Sequence, residues 1–136
     1  MYERLLNKFI KDSHSLQVYK GYRVLFESHK DRLTPLLEYI ESFASHYIDV
    51  VVFDKITGNA AALLLVKANC QKVYSPLGSA LAIDTLMKHG IEYHFTKTID
   101  CIQNPDGQEM CPMEKLSLNK EPEEFYRTIK KTLSSQ

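Results

Sequence analysis

The sequence lacks several features that define whole classes of protein. It has no surplus of either charge, because 17 Lys and Arg residues balance 17 Asp and Glu residues. It therefore offers no general attraction to a nucleic acid backbone, and we expect no nucleic acid partner. It has no apolar run near the roughly 20 residues of a membrane span, and its first residues lack the apolar core of a signal peptide. We also expect no membrane association.

Cysteine is scarce as well. Cys70, Cys101 and Cys111 are widely spaced and odd in number. Reduced thiols in a cytoplasmic protein are the simplest interpretation of this pattern. The chain contains no internal repeat and no low-complexity segment, and 136 residues suit a single domain with its own core. We divide that domain (1–136) into an N-terminal helix (1–14), a core (15–119) and a C-terminal helix (120–136).

What the chain does contain is an alternation of helical and strand patterns. An amphipathic helix is predicted over 2–12, followed by a β-hairpin around Lys20-Gly21 and a helix over about 34–45 that Thr34 would cap. The remaining predicted elements are, in order, a strand at 48–53, a helix at 60–68, a strand at 72–75, a helix beginning at Pro76 or Ser79 and ending at His89, a strand at 91–96, a short helix from Cys111 and a last helix at 122–134. This order predicts an α/β domain whose mixed, mostly parallel sheet is covered by helices on both faces.

The turn that follows the strand at 48–53 is where we expect a binding site. The strand is apolar and β-branched, which is typical of a strand buried on both faces. Its carboxyl end meets the N-terminus of the next helix, where free N–H groups and the helix dipole favour an anion. Lys55 would bond an anionic group and Asp54 a hydroxyl. Gly58 would allow close backbone approach or a positive φ at the turn, and Asn59 would contact ligand or cap the helix. In the alternative interpretation, Asp54 is a cap and Lys55 is solvated.

Four short motifs lie in the predicted core. They are Phe26-Glu27-Ser28, Asp54-Lys55-Ile56-Thr57-Gly58-Asn59-Ala60-Ala61-Ala62, Val73-Tyr74 and Cys111-Pro112-Met113-Glu114. Together they resemble a bacterial and archaeal family of unknown function with a cytidine-deaminase-like fold. The likeness runs from Leu16 to Leu118. It implies a three-layer α-β-α domain with a five-stranded mixed sheet, in which an initial antiparallel hairpin is followed by parallel strands. The chain departs from the family at Arg32-Leu33, where a Gly is usual, and at Asn104-Pro105, where Asn-Arg is usual.

The resemblance raises the question of zinc. Zinc deaminases carry a His or Cys with a Glu two residues later at one core helix, and Pro-Cys-x-x-Cys at the next. Here His29-Lys30-Asp31 matches the first motif in spacing only, and Gly58-Asn59-Ala60-Ala61 supplies no thiol at the second. We therefore predict a zinc-less domain with no metal ligands and no cofactor.

By analogy with the fold that the resemblance implies, we expect the domain to bind a nucleotide-like small molecule of the nucleoside phosphate or ADP-ribose type. The predicted binding residues lie in two loops that each lead from a strand into a helix, so both helix N-termini would point into one cleft. These residues are Glu27, Ser28, Asp54, Lys55, Gly58 and Asn59. A homodimer is a further expectation for this domain.

Cys111 supports an alternative, enzymatic interpretation. The motif places its thiol at a helix N-cap, with Glu114 three residues later as in a capping box. A thiol at a helix N-terminus can be reactive, which makes Cys111 a candidate nucleophile and Glu114 a candidate catalytic neighbour. An acidic residue, Glu27 or Asp54, could form the covalent link to ligand instead. A structural cap and a non-catalytic interaction scaffold are the other interpretations, so the sequence leaves open whether the domain is an enzyme.

Overall fold

The computed structural model describes residues 2–134, and the predicted end of the C-terminal helix at 135–136 lies outside them. Over this range helices and strands alternate as expected. The elements are α1 (Tyr2–Lys11), β1 (Leu16–Lys20), β2 (Arg23–Ser28), α2 (Thr34–Phe43), β3 (Val50–Asp54), β4 (Ile56–Thr57), α3 (Asn59–Lys67), β5 (Cys70–Ser79), α4 (Ala80–Lys88), β6 (Glu92–Ile99), α5 (Pro112–Ser117) and α6 (Pro122–Ser134). Across the described residues, every helix is too short or too polar to cross a membrane.

A mixed sheet of six strands forms the middle of the domain. β1 pairs antiparallel with β2 and with β3, whereas β3, β4 and β6 run parallel to β5. β6 pairs with one edge of β5, and β3 and β4 pair one after the other with the opposite edge of β5. The six strands therefore fill five positions across the sheet. The predicted hairpin followed by parallel strands is confirmed. The predicted count of five strands is wrong, because the chain breaks at Lys55 and pairs again as β4.

Alternate residues of the central strands enter two separate apolar clusters. Val50 and Val52 of β3 pack in the larger cluster with residues of α2, α3, α4 and α6. Val51 and Phe53 point to the opposite face and pack with Phe9 of α1. All five residues of β3 are buried, so the predicted burial of this strand on both faces is confirmed.

Helix α3 lies at the centre of the larger cluster. Each residue from Asn59 to Leu65 is buried, because α2, α4, α5 and α6 all contact this helix in addition to the sheet. Its run of Ala and Leu allows such close packing on every side. The N-terminus of α3 is therefore also inside the domain, where its first N–H groups need partners.

Two predictions about element ends are wrong: the length of β5 and the capping of α2 by Thr34. β5 is longer than predicted and includes Pro76. Pro76 lies between the residues of β5 that pair with β3 and those that pair with β4, opposite the break at Lys55. Its missing N–H therefore removes no bond to either of these strands. Of the two predicted starts of helix α4, Ser79 is therefore confirmed: Ser79 is the N-cap, accepts a hydrogen bond from the Ala82 N–H and precedes the first helical residue, Ala80. Thr34 is already helical, because Leu33 holds the N-cap position of α2 without a side-chain bond.

Gly78 of β5 lies directly against the ring of Phe95 in β6. A Cβ atom at Gly78 would collide with the ring carbons Cδ2 and Cε2 of Phe95. The glycine therefore permits a close approach of ring and backbone inside the sheet, a common use of glycine in strands.

We predict that Gly78→Ala lowers the free energy of unfolding by about 1–3 kcal/mol, because Phe95 must leave its position to admit a methyl group. Urea denaturation of the wild type and the variant measures this change. In a Phe95→Leu background the same substitution should cost clearly less, since the ring is gone. An equal cost in both backgrounds would contradict this account.

Candidate functional site

The N-terminus of α3 is closed by a carboxylate from a distant part of the chain. Oε2 of Glu114 accepts a hydrogen bond from the Asn59 N–H at 2.9 Å, and its Oε1 accepts one from the Ala60 N–H at 2.8 Å. Glu114 belongs to α5 and is only 2% exposed. An anion at this position is stabilised by the positive end of the α3 dipole as well as by the two bonds.

Gly58, the N-cap residue of α3, makes room for this carboxylate. A Cβ atom at Gly58 would lie 2.7 Å from both Cδ and Oε1 of Glu114, and it would also meet the side chain of Ile102. The φ angle of Gly58 is −93°, which any residue can adopt. The glycine is therefore required by space. Of the two uses that the sequence left open for Gly58, close approach and a positive φ, the structure has the first, and the group that approaches belongs to the protein itself.

A buried polar network extends from this contact to α4. The Asn59 Nδ2 donates to the Ser117 Oγ at 2.9 Å, and the Ser117 Oγ donates to the Glu114 backbone O at 2.6 Å. The Asn59 Oδ1 accepts a hydrogen bond from the Thr85 hydroxyl. Asn59, Glu114 and Ser117 are all buried, so the network fixes α5 against α3 and α4 inside the domain.

Two expectations about this region are wrong. The first N–H groups of α3 are not free for a ligand, because Glu114 uses them. Cys111 does occupy the N-cap of α5, but it makes no side-chain cap bond, and Glu114 turns away from its own helix instead of completing a capping box. The stronger partner for the Glu114 carboxylate is the buried end of α3, which presents two donors and a dipole.

The other predicted residues gather around the start of β1. Leu16 pairs with both Ser28 at the end of β2 and Asp54 at the end of β3. The Ser15 N–H donates to the Ser28 O at 2.8 Å, and the Lys55 N–H donates to the Ser15 O at 3.0 Å. The two predicted loops therefore lie at the same end of the sheet, as expected, but the start of β1 separates them.

Asp54 is the electrostatically unusual member of this cluster. Its side chain is buried and accepts a hydrogen bond from the Thr57 Oγ1 at 3.0 Å. Burial raises the pKa of the Asp54 carboxyl from 3.8 to about 7, although the bonds from Thr57 and from the Ile56 and Lys55 N–H groups lower it in part. A carboxyl that titrates near neutrality at the end of a central strand is a feature that functional sites often show. Lys55 beside it is exposed.

His14 belongs to the same cluster and was missed by the sequence interpretation. Its Nε2 lies 3.4 Å from Oε2 of Glu27, which also accepts a bond from Gln17 at 2.9 Å. The His14 ring stacks on His29 with ring centres 4.2 Å apart. Its Nδ1 is buried and has no hydrogen-bond partner in the described part of the chain. The polar segment around His14 gave no sequence signal for this burial, which depends on Phe9 and His29 from elsewhere.

The eight candidate residues thus form two groups. Glu27, Ser28, Asp54 and Lys55 surround the start of β1, whereas Gly58 and Asn59 join Glu114 at the N-terminus of α3. Cys111 is half-buried next to the second group, where its N–H donates to the Ile102 O at 2.9 Å. The structure therefore brings Glu114, a predicted catalytic candidate, together with Gly58 and Asn59, two predicted ligand-binding residues. The contact among them is internal to the protein.

Metal and cavity geometry add little at either group. Within residues 2–134, no three His, Cys, Asp or Glu side chains are arranged to hold a metal ion. Two shallow surface depressions do not include Lys55 in their linings, which are Glu124, Arg127, Thr128 and Lys131 of α6 in one and Ile99, Asp100, Cys101 and Gln103 in the other. A ligand at the start of β1 would therefore bind to an open surface at the end of the sheet.

These features define a class of α/β protein with a mixed open sheet and an N-terminal helix on the face opposite the main helical layer. A family model described as TM1506, domain of unknown function (DUF1893), matches residues 4–133, and the chain belongs to this family. Among solved structures, the chain is similar to the DUF1893 family protein TM1506 from Thermotoga maritima, with 31% identity and a TM-score of 0.86. That match covers 96% of this chain and 88% of the other. A search among curated proteins finds no match.

We predict that the stability of Asp54→Asn relative to the wild type is higher at pH 8 than at pH 5. The pKa of Asp54 is higher in the folded state than in the unfolded state, so its stabilising contribution is complete below pH 4 and is lost as the pH rises through 7. Between pH 5 and pH 8 the wild type should lose about 2–3 kcal/mol through this residue alone, whereas Asn does not titrate.

Thermal melts at both pH values measure this difference, with Asp84→Asn as the control because Asp84 is exposed. The melting temperature of the Asp54 variant minus that of the wild type should be larger at pH 8. The same difference at both pH values would show that the Asp54 carboxyl does not titrate near neutrality.

Proposed function

We propose that this domain binds a nucleotide-like small molecule, of the nucleoside phosphate or ADP-ribose type, around the start of β1. The observation that carries this proposal is the pairing of Leu16 with both Ser28 and Asp54. It brings the ends of two strands and their loops together at the end of the sheet. Ligands of open α/β sheets bind at the carboxyl ends of the parallel strands, and β3 ends there.

The order of strands supports a cytidine-deaminase-like fold, which we propose together with this function. Reading β3 and β4 as one position, the sheet runs β2-β1-β3-β5-β6, and only β1 and β2 form an antiparallel hairpin. Helices pack on both of its faces, as the three-layer arrangement requires. A homodimer, a cytoplasmic location and the division of the chain into helix, core and helix stay predictions.

The charges around β1 suggest how each part of a nucleotide would be held. Lys55 is exposed and would bond a phosphate directly, since the N–H groups of α3 are taken by Glu114. Asp54 accepts hydrogen bonds when ionised and donates one when protonated, so near neutral pH it suits a ribose hydroxyl or a base edge. His29 is exposed and presents a planar ring beside them, on which a base can stack.

Binding is a better match to these contacts than covalent chemistry. Glu27 is engaged with Gln17 and His14, and Asp54 is engaged with Thr57. Cys111 lies with the other group of residues, at the N-terminus of α5, and not around the start of β1. We therefore propose a zinc-less binding domain and give the enzymatic alternative second place.

We predict that Lys55→Ala weakens binding of a phosphate-bearing ligand by about tenfold to a hundredfold, because a charge-assisted hydrogen bond contributes about 1.5–3 kcal/mol. A thermal-shift panel of nucleoside phosphates and nucleotide sugars selects the ligand, and calorimetric titration measures its affinity. Lys97→Ala is the matched control, since Lys97 is exposed on β6 across β5 from β3.

The melting temperature of Lys55→Ala should equal that of the wild type, and Lys97→Ala should keep full affinity. Equal affinity of Lys55→Ala and wild type would place the ligand elsewhere. A panel without any binding at millimolar concentration would contradict the proposed function itself.

A further inference from the structure

The sheet ends in two outer strands, β2 on one side and β6 on the other. An outer strand exposes a row of unpaired backbone N–H and C=O groups, to which another strand can bind. In β2 the register with β1 shifts between Val18 and Tyr19, so Leu25 is an extra residue without an opposite partner. Such a bulge bends an edge strand and hinders further pairing. β2 is therefore protected against the addition of a strand.

The other outer strand, β6, has no such protection. Its register with β5 stays constant from Glu92 to Ile99, without a bulge, and the strand contains neither Pro nor Gly. Within residues 2–134, β6 pairs with β5 alone, so its second edge is open over eight residues. Tyr, Phe, Thr and Ile, which make up most of this strand, favour strand pairing. The open edge of β6 is therefore suited to another strand.

We infer that β6 forms the interface of a homodimer, in which the β6 strands of two copies pair antiparallel about a two-fold axis. Two identical strands related in this way form a self-complementary interface, because each contact occurs twice. Phe95 lies on the axis, opposite Phe95 of the partner subunit. The two sheets join into one continuous sheet, and the unpaired N–H and C=O groups of both edges gain partners.

The charged residues of β6 match each other in this register. Lys97 lies opposite Tyr93 of the partner subunit, whose ring attracts the cation, and Glu92 lies opposite Thr98 of the partner subunit. No two like charges are paired. A Lys within an edge strand excludes most other strands, so this match makes a second copy of the chain the favoured partner. Because Glu92, Lys97 and Thr98 are exposed, they are free to meet the partner.

The neighbouring registers are less favourable. With His94 on the axis, the two copies of His94 lie opposite each other. With Thr96 on the axis, Glu92 lies opposite Asp100 of the partner subunit, and two carboxylates repel each other. The register centred on Phe95 avoids both conflicts. This interface goes beyond the proposed function, because β6 and the strands that carry the proposed ligand site lie on opposite sides of β5.

Opposite charges at Thr98 test the interface and its register. Thr98→Lys places a cation opposite Glu92 of the partner subunit, and symmetry creates this pair twice, so the dissociation constant of the dimer should fall by about twofold to thirtyfold. Thr98→Glu creates two pairs of like charges and should raise the dissociation constant by a similar factor. Sedimentation velocity over a range of protein concentrations up to about 1 mM measures these constants.

Ser42→Lys and Ser42→Glu are the matched controls, because Ser42 is exposed on α2, the helix that contacts β2 at the other edge of the sheet. They change the net charge equally and should leave the dimer unchanged. All four variants should melt like the wild type, since both positions are exposed. A wild type that stays monomeric up to about 1 mM would overturn the proposal. So would a dimer whose dissociation constant does not move in opposite directions in the two Thr98 variants.

Hydrogen exchange followed by mass spectrometry tests the same interface in the wild type, without any variant. Exchange in 92–99 should slow as the protein concentration rises, because the open edge of β6 becomes paired. Exchange in 23–28, the other outer strand, should keep its rate. A dimer that slows exchange in 23–28 and not in 92–99 would overturn the proposal. A failure of the nucleotide panel would leave these results untouched, so the two proposals fail separately.

Discussion

The structure depends on how the buried N-terminus of α3 is satisfied. This helix is enclosed by the sheet and by four other helices, so its first N–H groups cannot reach water. Each buried N–H without a partner costs about 1–3 kcal/mol. The Glu114 carboxylate provides acceptors for two of them, and the missing side chain at Gly58 lets it approach. Placement of α5, and of the chain that leads to it, follows from this contact.

The same contact divides the end of the sheet into two parts with different properties. At the N-terminus of α3 the anion position is filled, and Asn59, Ser117 and Thr85 surround it with satisfied hydrogen bonds. Around the start of β1, Lys55 is exposed and Asp54 titrates near neutrality. A ligand finds the exposed charge of Lys55 in the second part, whereas Glu114 already fills the anion position in the first. This division locates the proposed binding function at β1.

Much of the fold follows from local sequence patterns. The alternation of Val50 to Phe53 between two apolar faces, and the hairpin at Lys20-Gly21, need only near neighbours in the chain, and both were predictable. The role of Glu114 was not, because its partners are 54 and 55 residues away and its own motif offered a local capping box. The burial of His14 likewise arises from rings brought together by tertiary structure. Gly58 was recognised as a close approach, but the sequence could not show which group approaches.

Amide hydrogen exchange at Asn59 and Ala60, resolved by NMR, tests the central contact most directly. First-turn amides of a helix have no partner within the helix and exchange rapidly when they are exposed. The account predicts slow exchange at Asn59 and Ala60, and fast exchange at Glu123 and Glu124 in the exposed first turn of α6. Exchange at Asn59 and Ala60 as fast as at those α6 residues would show that Glu114 does not hold the N-terminus of α3.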